Sequence, residues 1–359
     1  MGASCSLQIN LSKNYSLLRI THYELPITHY LLSMNYHQLV PQAFDLSAYR
    51  FGIPQKSGIM TVVPIFSSNL ENTRKFTPPL SGLKLTQVAG YGNIEITNHS
   101  QGIAIVPLHM GYIQDKAQNH ALCRSAFIAD GQKLMFEDAC CVQASQGGYL
   151  EEREQWFFIL PLFLREEALN LQGQKNYSKL WDAISLLNQR FGLPNRGHLE
   201  QILSRERAFL TQYQSRFEIL QGQTGALFIL GNKLVGIEIA PNTAYFQEVW
   251  MSLVCFCYGV AAMHFENHEL PHQVIPFSAT NLAELRQKLV ESRYNFSSQI
   301  QNILTNTPPE KFEVTKEEKF LNLQLKTIYG QNFAGEFVEE EGNLVYASVF
   351  AKSEYALSA

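Results

Sequence analysis

What most limits the fold of this chain is the order in which its apolar periodicities follow one another. From Ile59 short apolar runs separated by turn residues occupy 59–66, 83–88, 92–97, 103–108, 125–129 and 134–136, the spacing of successive β-strands. A further run, 156–164, is bent by Pro161. Helical spacing then takes over: Leu180, Ile184, Leu187 and Phe191 share one face of 177–191, and Leu199, Ile202, Leu203, Phe209 and Leu210 share one face of 198–213. Leu193-Pro194-Asn195-Arg196-Gly197 between them is a helix stop and turn. A hairpin follows, 225–230 and 234–240 about Gly231-Asn232, then an uncharged helix over 243–265 and another over 281–304, stopped by Pro308-Pro309. The runs 320–329, 332–338 and 343–351 again read as antiparallel strands. Strands and helices therefore come in blocks, which predicts an α+β fold of largely antiparallel strands with segregated helices, plus a C-terminal helix and antiparallel strand extension. The absence of βαβ alternation argues against a dinucleotide-binding doubly wound sheet.

Composition narrows the function classes. With 46% apolar residues, 23 Phe and 16 Tyr, a chain of 359 residues can fill the cores of two or three domains. Only 17% of residues are charged and the net charge is −4, so no electrostatic footprint for nucleic acid or an anionic membrane stands out. The 27 Gln and 22 Asn are spread along the whole length and form no low-complexity tract. The longest stretch without a charge or histidine, 249–263, is shorter than the roughly 18–20 residues of a spanning helix, and reads as a buried core helix. Six cysteines (Cys5, Cys123, Cys140, Cys141, Cys255, Cys257) form no secreted-type framework, and no signal-peptide pattern precedes the first strands. A cytoplasmic protein with reduced thiols is the expectation. Ile20 to Pro26 and Ile27 to Ser33 are tandem heptads with identical first four residues, too few for a solenoid. Residues 1–33 are accordingly read as a dispensable leader with Met34 as the start, so His22 and His29 are discounted as ligands.

Two stretches carry a resemblance. The first holds Gly111-Tyr-Ile-Gln-Asp-Lys-Ala-Gln-Asn-His-Ala-Leu-Cys-Arg-Ser125 followed by Cys141-Val-Gln-Ala-Ser-Gln-Gly-Gly-Tyr149. The second is Gly222-Gln-Thr-Gly-Ala-Leu-Phe-Ile-Leu-Gly-Asn-Lys-Leu-Val-Gly-Ile-Glu238 and the helix with Phe246 and Trp250. Over residues 59–263 their order resembles the ARG and rhodanese-phosphatase-superfamily-associated protein domain, a bacterial family named for its association with ADP-ribosylglycohydrolases. The resemblance implies work near ADP-ribose or NAD-derived nucleotides, in phage defence or RNA end metabolism. It divides the chain into a family-like α+β core, 34–275, and a C-terminal α+β extension, 276–359. Where the family has a Lys-Gln-Asn-Arg run, Ala117-Gln118-Asn119-His120 stands here; where Cys-Val-Glu leads to Gly-Arg-Trp, Cys141-Val142-Gln143 leads to Gly147-Gly148-Tyr149. These departures weigh more against catalysis than against binding.

The residues themselves agree with recognition. Gln118 and Asn119 carry donors and acceptors that do not titrate, so they can read a base edge or a ribose but cannot act as acid or base. His120 titrates near neutrality, and Arg124 offers a guanidinium fork for phosphate or carboxylate. The alternative is a polar loop whose amides satisfy backbone groups. Gln143, Gln146, Gly147 and Gly148 form a flexible segment able to approach a ligand, with a plain turn as the competing reading; Gly222-Gln223-Thr224-Gly225 has the same ambiguity. Strand alternation puts the Glu238 carboxylate on the face opposite Ile237 and Ile239. Lining a cleft it would be the best acid–base candidate; facing water, the expected case, it is an ordinary surface charge. Cys140-Cys141 and Cys255-x-Cys257 with His264 and His268 lack the paired thiolate spacing of zinc sites, so core packing is expected, with no metal and no cofactor. Cys141 as a nucleophile paired with His120 is a further reading.

The leading expectation is a protein that binds, and in one version processes, an ADP-ribose-like nucleotide in a cleft lined by Gln118, Asn119, His120, Arg124, Gln143 and Gln146. The rival is a non-catalytic scaffold or protein-interaction module that uses the tail of helix and antiparallel strands from about 281 onward to pair with a partner or with itself, as a homo-oligomer, through an edge strand. A hydrolase with Glu238 as acid–base group ranks third.

Overall fold

Runs of Val, Ile, Leu and Phe between Gly, Asn and Pro turns become strands, as a computed structural model of the chain shows over residues 44–68, 76–113, 118–144, 156–268 and 278–358. The chain opens with β1 (Tyr49–Phe51), β2 (Gln55–Ser57) and β3 (Met60–Ser67), followed by a single helical turn, α1 (Pro79–Gly82). Nine short strands come next: β4 (Leu83–Gly90), β5 (Asn93–Asn98), β6 (Ala104–Val106), β7 (Met110–Ile113), β8 (His120–Ala121), β9 (Ala126–Ile128), β10 (Lys133–Phe136), β11 (Cys140–Cys141) and β12 (Trp156–Ile159). They pair antiparallel into three small sheets, ordered β10-β5-β4, β6-β9 and β11-β8-β7-β12.

Pro161 splits the apolar run 156–164 into β12 and the helix α2 (Leu162–Asn170), because proline suits the start of a helix and not the middle of a ladder. The helix expected over 177–191 is α3 (Trp181–Arg190). The one expected over 198–213 is instead three short pieces, α4 (Glu200–Arg205), α5 (Arg207–Leu210) and α6 (Gln212–Arg216). Glu206 leaves helical geometry at the first break, and the Thr211 hydroxyl donates to the Arg207 carbonyl at the second, a side-chain bond of the kind that bends helices.

The expected hairpin is β13 (Gly225–Leu230) and β14 (Lys233–Ile239). After it, α7 (Thr243–Met251) is capped by the Asn242 side chain, which accepts from the Tyr245 N–H at 2.8 Å. It runs through a π-helical stretch, Ser252–Cys257, into α8 (Tyr258–His268). The span Thr243–Glu266 is long and apolar enough to cross a membrane, but 83% of its apolar window is buried inside the fold, so it is a core helix. Then come α9 (Leu282–Asn306), the strands β15 (Glu313–Phe320), β16 (Leu323–Tyr329), β17 (Phe333–Glu340) and β18 (Asn343–Ala351), and α10 (Ser353–Leu357).

The large antiparallel sheet is ordered β1-β3-β13-β14-β18-β17-β16-β15, with β2 also paired to β3. The strands after residue 276 thus continue the same sheet as the hairpin, with β18 inserted between β14 and β17. The core helix lies against it, Tyr258 stacking on Phe228 with ring centroids 4.0 Å apart. Gly236 makes this approach possible, since a Cβ there would collide with the Tyr258 hydroxyl. Every Cys of the described residues is a buried free thiol, and His264 packs edge-on against Phe163 and Phe191. Among the described residues no group of three His, Cys, Asp or Glu side chains could hold a metal ion.

Candidate functional site

The small sheet β11-β8-β7-β12 assembles part of the expected cluster. His120 on β8 stands opposite Cys141 of β11 on one side and Tyr112 of β7 on the other. Gly111 lets β7 come this close: a Cβ there would strike the Phe158 ring and lie 2.8 Å from the His120 carbonyl. Next to it, the Val142 N–H donates to the Asn119 carbonyl at 2.9 Å, and the Leu199 N–H donates to the Val142 carbonyl at 2.9 Å. Gln143 forms an isolated antiparallel bridge with His198. Trp181 Nε1 fixes the same segment by donating to the Cys141 carbonyl at 2.9 Å. Gln118, Asn119, His120 and Gln143 are therefore brought together, all buried.

The cluster is unusual in its unmet hydrogen bonds. Among the described residues neither ring nitrogen of His120, which is 0% exposed, makes a hydrogen bond of good geometry, although the Gln118 backbone acts on the ring, and Gln118 Oε1 and Tyr112 Oη have no partner. Buried polar groups are nearly always paired, and each one left bare costs about 1–3 kcal/mol. Burial lowers the His120 imidazole to about 4, opposed in part by the Gln118 backbone, so at neutral pH the ring is uncharged. Burial also raises the Tyr112 phenol. These groups accordingly present neutral donors and acceptors and no net charge. Cys141 is a buried thiol pushed up by desolvation, the opposite of an activated nucleophile.

Arg124 has other partners. Its Nε lies 3.7 Å from the Asp138 carboxylate, its Nη1 4.0 Å from Glu318 of β15, and its guanidinium sits 5.1 Å over the Phe136 ring. Gln146, Gly147 and Gly148 fall outside the described residues. Gly222 takes a left-handed conformation, φ 79°, as a turn into β13 requires, while the Gln223 amide bonds locally to the Gly225 carbonyl and the Leu220 N–H.

Glu238 is not a surface charge. Its residue is 5% exposed and its carboxylate is enclosed: Arg165 Nη1 lies 2.7 Å from Oε1, the Tyr258 hydroxyl donates to Oε1 at 2.7 Å, and the Ser348 hydroxyl donates to Oε2 at 2.6 Å. Arg165 also donates to Ser348 Oγ at 2.6 Å and to His109 Nδ1 at 3.2 Å, and its guanidinium stacks 4.4 Å over the Phe350 ring. Burial opposes the Arg165 charge and Glu238 more than restores it, holding the guanidinium above its ordinary value. The alternation along β14 was legible in sequence, but its central place in the sheet was not, and centrality is what removes the carboxylate from water. One signal pointed to the partner: Arg165 ends the apolar stretch 156–164, where a charge must find a counter-charge or leave the core. Beside Glu238 a cavity of about 10 Å³, lined also by Pro107, Tyr245 and Tyr346, has room for about one water. Glu238 and His120 stand in different sheets.

A family model matches residues 48–350, that of the ARG and Rhodanese-Phosphatase-superfamily-associated Protein domain. The match extends beyond the 59–263 stretch of the sequence resemblance and takes in β15 to β17 and most of β18. No curated protein and no solved structure matches the chain.

Proposed function

This chain belongs to the ARG and Rhodanese-Phosphatase-superfamily-associated Protein domain family, and from the association in that description we propose that it binds an ADP-ribose-like or other NAD-derived nucleotide through Gln118, His120 and Tyr112, with Asn119 and Gln143 alongside. One observation carries this reading: among the described residues the buried Gln118 Oε1 and Tyr112 Oη lack partners, and the His120 ring nitrogens beside them make no hydrogen bond of good geometry. A ligand offering a neutral hydrogen-bonding edge, a nucleobase or a ribose, would satisfy them. Arg124 is engaged by Asp138 and Glu318, so the reading rests on a neutral hydrogen-bonding edge of the ligand. Binding is favoured over processing. His120 is too weak a base at about 4 to take a proton at neutral pH, and Glu238 is committed to Arg165. The reduced, buried cysteines accord with a cytoplasmic setting.

Thermal unfolding with ADP-ribose, NAD, adenosine and ribose 5-phosphate tests this. At a hundred times its dissociation constant a ligand adds about 2.7 kcal/mol, a shift of a few degrees. Gln118→Met and His120→Leu should abolish the shift while leaving the ligand-free protein equally stable or about 1 kcal/mol more stable, because each removes an unpaired buried polar group. Loss of stability without ligand would mean that these side chains are structural.

A second reading, an interaction module, is favoured by α9. Over its first half Leu282, Leu289, Val290 and Tyr294 are exposed. A panel without any thermal shift, in a folded sample, would bring that reading forward.

A further inference from the structure

Two of the buried thiols meet. Cys123 and Cys140 hold their sulfurs 3.1 Å apart, at 1% and 0% exposure, and both are free. The register explains the encounter: Cys140 pairs with Ala121, so Cys123, two residues farther along, faces the same side and comes alongside it. Cys123 Sγ also lies 3.4 Å from the Asp138 carbonyl, and the Lys179 ammonium donates to that carbonyl at 2.8 Å, placing a cation beside the pair. A disulfide needs about 2.0 Å between sulfurs, so closure asks for a movement of about 1 Å. The neighbouring Cys123 thiol and burial keep Cys140 protonated at rest, and the cross-link therefore forms slowly, as the segment opens.

We propose that Cys123 and Cys140 form an oxidative modification site, closing to an intramolecular disulfide that pins the segment carrying His120 to the segment carrying Gln143. With a peroxide as oxidant, one thiolate attacks a peroxide oxygen; the O–O bond breaks, and a sulfenic acid and hydroxide form. The second thiol attacks the sulfenic sulfur, the S–S bond forms, the S–O bond breaks, and the hydroxyl leaves as water with the thiol's proton. Two thiols and one hydrogen peroxide give one disulfide and two waters. The site stands independently of any nucleotide.

The test treats the full chain with hydrogen peroxide, alkylates it in denaturant and maps peptides without reductant. The expected result is a linked peptide joining Cys123 to Cys140, a mass lower by two hydrogens, reversal by dithiothreitol and a higher unfolding midpoint in the oxidised form. Cys140→Ser and Cys123→Ala should each remove the linked peptide and make the midpoint indifferent to peroxide. If either variant fails to fold, the wild-type map decides alone. Recovery of both cysteines alkylated, joined to other cysteines or as sulfinic acid overturns the proposal.

Discussion

Glu336 and His120 are both fully buried and carry opposite pH dependences. Burial pushes the Glu336 carboxyl up to about 7, against the Ser125 N–H and the Thr327 hydroxyl, which donate to it at 2.7 and 3.1 Å. Between pH 4.5 and 7 the folded state keeps a proton that the unfolded chain has shed. This contribution is therefore full below about pH 4.5 and lost as pH rises through 7, a change of about 3 kcal/mol. For His120, lowered to about 4, the unfolded chain binds the extra proton, and stability is lost as pH falls from 6.5 through 4. Over the shared window the two slopes cancel. Glu336→Gln should release the cancellation: urea unfolding at a series of pH values should show the variant gaining about 3 kcal/mol on the wild type from pH 4.5 to 7. Parallel profiles would mean Glu336 does not titrate in that range. A second residue-scale prediction concerns Arg165. Arg165→Met alone leaves Glu238 buried without its counter-charge and should cost about 3–5 kcal/mol, whereas adding Glu238→Gln should restore most of it. Equal losses in the single and double variants would refute the coupling. At this scale Gln118, Asn119 and His120 were legible as neighbours because they are consecutive in the chain, whereas Gln143 joins them through the pairing of β11 with β8. Tyr112 and Arg165 were not legible, since their roles depend on strand pairing and on contacts far apart in sequence.

At the scale of elements, apolar runs bounded by turns became strands nearly residue for residue, as with β3, β13 and β18. Three kinds of element escaped. Strands of two or three residues, such as β8 and β11, are too short to show a period. The π-helical stretch Ser252–Cys257 has the composition of the helix around it. And β15, Glu-Val-Thr-Lys-Glu-Glu-Lys-Phe, hides behind its charges, which suit the sheet edge it occupies and discourage pairing with another chain. That edge weakens the strand-pairing form of the interaction reading. The exchange between blocks also bears on the boundary expected at 275–276. β14 pairs with β18 through Gly236 to Ile239, and Ser348 of β18 completes the Glu238 site. A chain truncated after residue 281 should therefore lack a cooperative unfolding transition in circular dichroism and calorimetry. A sharp transition in the truncated chain would show the core to be self-sufficient.

At the scale of the whole molecule, the fold turns on one insertion: β18 lies between β14 and β17 and connects the hairpin to the last antiparallel strands. Roughly a hundred residues separate the end of β14 from the start of β18. A ribosome adds about 5–20 residues per second, so for some 5 to 20 seconds of synthesis the edge of β14, apolar at Leu234, Val235, Ile237 and Ile239, waits without its neighbour. Through that interval the nascent chain exposes an adhesive strand that only its own later residues can cover, which makes it a natural client for a holding chaperone at the tunnel exit.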